Sequence, residues 1–166
     1  RYGWAVGPDN IAVTNGSQSA YFVLYNLFAG QMPDGSRRTI HLPLSPEYIG
    51  YADAGICVDF FSATPPRIAL TGAHEFEYHL DTASLEIDDS VGAMCVSRPT
   101  NPSGNILDAD ELAALEALAA ARDIPLIVDG SHGERFSDIT FTEAEPRWTP
   151  ETILTLSLSK LGLPGL

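Results

Sequence analysis

Four short stretches hold the residues of this chain best suited to chemistry. In "TLSLSKLGLPG", residues 155–165, stands Lys160, the one lysine beside eight arginines in 166 residues. An amine there can serve as nucleophile or base once cationic or hydroxylic neighbours lower its pKa. Asp129 ends the hydrophobic run "PLIVD", where a carboxylate is costly without a cationic partner. "TNGSQSA" at 14–20 puts Gly16 and Ser17 at a helix start, a place where backbone amides and a hydroxyl receive an anion. "SRPTNPSGN" at 97–105 sets Asn101 in a tight turn.

Other chemical motifs carry less. "HEFEYH" at 74–79 resembles H-E-x-x-H with one extra residue, which would place its histidines about 140° apart around a helix and unable to share a metal. An exposed strand alternating Phe76 and Tyr78 with Glu75, Glu77 and His79 explains it better, and no metal site is expected. "SLSK" matches S-x-x-K, but with a single lysine the K-T-G partner of that serine chemistry is missing. "NGS" at 15–17 is formally a glycosylation acceptor, a match read as chance in a chain without secretion signals.

The elements that must position these residues follow from periodicity. Strands are expected at "NIAVTNG" (10–16), "RRTIHLPL" (37–44), "ICVDFFSA" (56–63), "VGAMCVSRP" (91–99), "IPLIVDG" (124–130) and "TILTLSLSK" (152–160). Between them lie a buried helix in "SQSAYFVLYNLFAG", a short helix in "PEYIGYADAG" closed by Gly55, and a long amphipathic helix over 108–123 with an aspartate cap. Residues 65–91 read as irregular and acid-rich, with "HEFEYHL" an edge strand. Such alternation predicts a three-layer α/β/α domain on a mostly parallel sheet. Ligands of such sheets sit at the carboxyl ends of the strands, where all four stretches fall.

Composition narrows the partners. The 22 acidic against 9 basic residues give a formal charge of −13, which repels phosphate backbones and anionic lipid surfaces. Nucleic acid and membrane are therefore not expected, and without a signal peptide or a spanning apolar run the reading is a cytoplasmic chain. Cys57 and Cys95, each inside an apolar segment, are expected to be buried free thiols. The chain begins without methionine and ends just after a glycine turn, and is read as a piece of a longer polypeptide.

Together "VTNGSQSAYFVLYNLFAG", "PLSPEYIGYADAG", "CVSRPTNPSGN" and "SLSKLGLPG" resemble the fold-type I enzymes of the class I and II aminotransferases, from about residue 10 onward. The resemblance implies pyridoxal 5'-phosphate (PLP) as cofactor, with 1–166 the PLP-binding large domain, its N-terminal segment and small C-terminal domain lacking. Lys160 then corresponds to the Schiff-base lysine that also moves the substrate α-proton, and Asp129 to the acid that pairs with the pyridinium nitrogen. Asn101 matches the residue bonded to the phenolic oxygen, and Tyr48 the aromatic on the ring. Gly16, Ser17 and Gln18 match the phosphate turn, and Ser157 a further phosphate ligand. The family usually has a tyrosine three residues after the aspartate, where this chain has His132, able to donate the same bond but with a charge that varies near neutral pH.

The activity so implied exchanges an amino group between a small amino acid of the valine or alanine type and a 2-oxo acid such as pyruvate. A homodimer is implied as well, and the chain alone is expected to be inactive. A PLP-dependent carbon-sulfur β-lyase on the same scaffold, or the non-catalytic effector domain of a transcription regulator, are the alternatives.

Overall fold

A computed structural model of the chain describes residues 3–132 and 147–159. Among the described residues eight strands and two α-helices are formed: α1 (Ser17–Phe28), β1 (Gly30–Gln31), β2 (Arg37–Leu42), β3 (Phe61–Ala63), β4 (Arg67–Gly72), β5 (Glu75–His79), β6 (Val91–Ser97), α2 (Ala109–Arg122), β7 (Leu126–Asp129) and β8 (Thr152–Thr155). The main sheet runs β1-β2-β6-β7-β8, with β3 also paired to β2. Among the described strands of that sheet, only β1 is antiparallel to its neighbour.

All seven residues of β6 are buried, as a central parallel strand covered on both faces requires. Its alternate side chains enter two cores. Ala93 and Cys95, with Ile127 of β7, pack with Tyr21 and Tyr25 of α1. Met94 and Val96, with Leu126 and Val128, pack with Leu112, Leu115 and Ala119 of α2. The two helices thus cover opposite faces, giving the three layers expected. Each fully buried Leu, Ile or Met contributes about 1.5–3 kcal/mol.

Local chemistry fixes α2 at both ends. The Glu111 N–H donates to Asp108 Oδ1 at 2.8 Å and the Asp108 N–H donates to Glu111 Oε2 at 3.1 Å, a reciprocal cap of two otherwise orphaned donors. At the other end Asp123 takes the left-handed conformation, φ 53°. The other oxygen of Glu111 accepts the Leu80 N–H at 2.9 Å and contacts His79 Nδ1 at 3.2 Å. The β4–β5 hairpin is thereby tied to the start of α2.

Several expectations are corrected. Residues 10–16 form no strand: backbone bonds there are local, Ile11 N–H to Pro8 and Gly16 N–H to Thr14, and Ile11 and Val13 are 65% and 93% exposed. Alternation alone cannot make a strand without a neighbouring edge to pair with. The strand expected from residue 56 begins only at Phe61, because Asp59 at φ 50° breaks the extended backbone. Cys57 lies before that break and is exposed, whereas Cys95 is buried.

Helix α1 buries only Tyr21 and Tyr25, while Phe22, Val23 and Leu27 are at least half exposed. The sheet covers one side of it. Residues 67–79, read as irregular apart from one edge strand, form an antiparallel hairpin outside the main sheet. Ile68 and Leu70 of β4 are exposed, so burial left no pattern there to read.

Candidate functional site

The carboxyl ends of β6, β7 and β8 bring three polar residues into one row. Ser97 is the cross-strand partner of Asp129, and Asp129 of Thr155. Because these strands are parallel and in register, their last side chains on the α1 face gather in one place. Asp129 is 4% exposed, which demands that its oxygens be satisfied. Tyr51 Oη donates to Oδ2 at 2.7 Å and the Ser131 N–H donates to Oδ1 at 2.9 Å.

A tyrosine cluster walls this carboxylate. Tyr21, Tyr25 and Tyr51 meet with ring centroids 5.1–5.6 Å apart, in the tilted and edge-on contacts aromatic quadrupoles favour. Burial, reinforced by the charge of Asp129, pushes the Tyr21 and Tyr51 phenols well above their ordinary range, so both stay protonated and able to donate. Tyr21 Oη bonds Thr155 Oγ1, joining α1 to the end of β8. Tyr48, half-buried, sets its ring edge-on to Tyr51 at 5.5 Å.

The start of α1 faces the same place. Gly16, the residue before the helix, sits at φ 80°, a conformation open to glycine and strained for most other residues. No side chain caps the helix there, so its first amides stay available to an anion. Ser17 Oγ accepts from Ser131 Oγ at 3.2 Å, linking the helix start to the turn after Asp129. Gln18 donates to the Gly50 carbonyl at 2.6 Å, fixing that start against the turn that carries Tyr48 and Tyr51.

On the other side of Asp129, the turn after β6 is held tightly. The Asn101 N–H donates to Ser97 Oγ at 3.2 Å, Thr100 Oγ1 to the Ser97 carbonyl at 3.1 Å, and the Arg98 N–H to the Asp129 carbonyl at 2.9 Å. Both oxygens of Glu47 are engaged by Ser97. Burial pushes the Glu47 carboxyl up to about 8, against the lowering effect of the Ser97 bonds.

The expected residues Gly16, Ser17, Gln18, Tyr48, Asn101 and Asp129 therefore stand around one centre. His132 follows in the turn after β7 and is exposed. Ser157, half-buried beyond β8, accepts the Ser159 N–H at 3.2 Å. Lys160 lies outside the described residues. Tyr51, Ser131, Ser97, Glu47, Tyr21 and Thr155 also belong to the site although sequence reasoning passed over them. The one available signal was Glu47, an acid in the largely apolar "PEYIGY". Among the described residues no three His, Cys, Asp or Glu side chains are grouped to hold a metal. Nor is any described helix long and apolar enough to cross a membrane.

A mostly parallel α/β sheet with a buried carboxylate and an uncapped helix N-terminus at its strand ends has the setting in which such sheets take their ligands. The family model described as "Aminotransferase class I and II" matches residues 2–166, and the chain belongs to that family. It is 52% identical over 165 residues to the valine–pyruvate aminotransferase of Escherichia coli K12, spanning 99% of this chain but 40% of that protein. The solved valine-pyruvate aminotransferase AvtA of Salmonella typhimurium LT2 superposes with TM-score 0.88 at 50% identity, over 99% of this chain and 40% of its own. The PLP-bound C-S lyase of Staphylococcus hominis shares the fold, with TM-score 0.65 at 21% identity over 96% of this chain and 40% of that one. Membership in the family implies PLP.

Proposed function

We propose that this chain is the cofactor-binding large domain of a cytoplasmic, homodimeric aminotransferase that exchanges an amino group between valine or a similar small amino acid and pyruvate. The observation that carries this reading is the setting of Asp129, buried at a parallel strand end and held by Tyr51 and Ser131 beside the open start of α1. That donor set fits PLP. The cofactor has a ring nitrogen that carries a proton when a carboxylate faces it, and a phosphate suited to helix amides. The 52% identity to the Escherichia coli valine–pyruvate enzyme supports the choice of substrates.

In this reading Asp129 holds the ring nitrogen, Gly16, Ser17, Gln18 and Ser157 the phosphate, Tyr48 the ring face, and Asn101 the phenolic oxygen, with His132 near it. Bound there, PLP supplies an electron sink for the negative charge that develops at the substrate α-carbon. Lys160 provides the amine that fixes the cofactor covalently and afterwards moves the α-proton as general acid and base. Asp129 keeps a proton on the ring nitrogen, and the buried Tyr51 phenol keeps Asp129 in place. The tyrosine cluster walls Asp129 off from water, which strengthens the charge interaction its carboxylate would make with the ring nitrogen.

The test is to incubate the intact protein with valine and pyruvate and follow both products by mass spectrometry. Alanine and 3-methyl-2-oxobutanoate formed in equal amounts support the reading. Their absence, with release of pyruvate and a thiol from a cysteine S-conjugate, contradicts it and favours a β-lyase.

A further inference from the structure

Glu47 has no part in the reaction described above, yet both oxygens of its carboxylate meet Ser97, a residue of the site, and the Tyr48 backbone bonds it as well. The Ser97 N–H donates to Oε1 at 3.0 Å and Ser97 Oγ bonds Oε2. Ser97 closes β6, faces Asp129 across the ladder, and accepts the Asn101 N–H at 3.2 Å. A continuous path thus runs from Glu47 through Ser97 to the backbone of Asn101. Whichever oxygen carries it, a proton lies between Ser97 Oγ and Glu47 Oε2, which turns an Oγ lone pair toward the Asn101 N–H. The acidic groups that face Glu47 are Asp129 of β7 and the Cys95 thiol of β6. Burying an acid beside another acid is unfavourable unless its bonds are used.

We propose that Glu47 is a positioning residue: through Ser97 it sets the place of the Asn101 turn relative to Asp129, and with it the fit of the cofactor. The proposal rests on the reading that Asn101 and Asp129 hold PLP. Without the Glu47 acceptor the Ser97 hydroxyl is free to rotate, and the Asn101 N–H loses its fixed partner. A shift of the turn by a fraction of an ångström then loosens the contact Asn101 makes. The function of Glu47 is geometric, so a neutral side chain of the same shape should replace it. In Glu47→Gln the amide oxygen accepts the Ser97 N–H and the amide NH2 donates to Ser97 Oγ, leaving the same lone pair for Asn101.

The experiment measures the affinity of the intact apoprotein for added PLP by quenching of intrinsic fluorescence. Glu47→Ala and Ser97→Ala are each expected to weaken binding about tenfold, the double variant no more than either alone, since residues acting through one link are not additive. Glu47→Gln should stay within about threefold of the parent, as rescue by a matching hydrogen-bonding shape requires. If Glu47→Ala does not fold, Ser97→Ala breaks the same link in its place. Wild-type affinity in both alanine variants, with Asn101→Ala weakened, overturns the proposal. Additive losses, or a Glu47→Gln defect as large as that of Glu47→Ala, also overturn it. Wild-type affinity in Asn101→Ala and Asp129→Ala as well would show instead that the reading of the site has failed, and the proposal would fall with it.

Discussion

The Tyr51 hydroxyl donates a 2.7 Å hydrogen bond to Oδ2 of Asp129, from a 3-10 turn 78 residues away in sequence. The bond couples the segment carrying Tyr48 to the end of β7. A hydrogen bond to a charged group is worth about 1.5–3 kcal/mol. Tyr51→Phe keeps the ring and its edge contacts while leaving a buried Asp129 oxygen without its donor, so PLP affinity of the intact protein should fall by about tenfold or more and the thermal midpoint should drop with it. Unchanged affinity would show that Asp129 needs no such support.

Gly92, the second residue of β6, marks a close approach. A Cβ there would come within 1.7 Å of the Phe28 carbonyl oxygen at the end of α1. Backbone cannot yield as a side-chain tip does, so Gly92→Ala should push helix and sheet apart and cost about 1–3 kcal/mol or more. Urea unfolding of the variant checks this, and a midpoint equal to wild type would contradict the packing described.

The cap of α2 separates two roles. Asp108→Ala should cost about 1 kcal/mol, the usual worth of an N-cap. Glu111→Ala loses the reciprocal half of that cap and also the acceptor of the Leu80 N–H. Amide exchange in residues 75–80 should therefore rise in Glu111→Ala and stay near wild type in Asp108→Ala. Equal exchange in the two variants would contradict the tie between hairpin and helix.

Stability should depend on pH through Glu47. Burial raises its carboxyl from 4.5 to about 8 in the folded protein. Between these values the folded state holds a proton that the unfolded chain has released, so this contribution is complete below about 4.5 and is lost as pH rises through about 8. Glu47→Gln cannot titrate. The thermal midpoint of wild type relative to Glu47→Gln should fall between about pH 4.5 and 8 and level off above that, and parallel curves would refute the assignment. His41, whose pKa burial lowers from 6.5, acts in the opposite sense, its contribution present above that value and lost as pH falls.

Much of this was legible because buried parallel strands and capped helices write their pattern locally. "VGAMCVS" and "PLIVD" could be little else than central strands, and Asp108 with Glu111 announced α2. What escaped was decided by tertiary partners. Ile11 and Val13 have a strand's alternation but no edge to pair with, and Asp59 turned the chain where the sequence read as continuous extended backbone. In the site, Asp129 and Asn101 stood out at strand ends. Tyr51 and Ser97 did not, because a buried tyrosine and a strand serine look the same in sequence whether or not they bond an acid from another element.

The central claim, that Lys160 is the cofactor's covalent partner, is tested most directly by reducing the intact protein with borohydride in the presence of PLP and mapping the modified peptide. The account predicts one reduced phosphopyridoxyl group, on the peptide containing Lys160, and none in Lys160→Arg. A folded protein that takes up no label at Lys160 would contradict it.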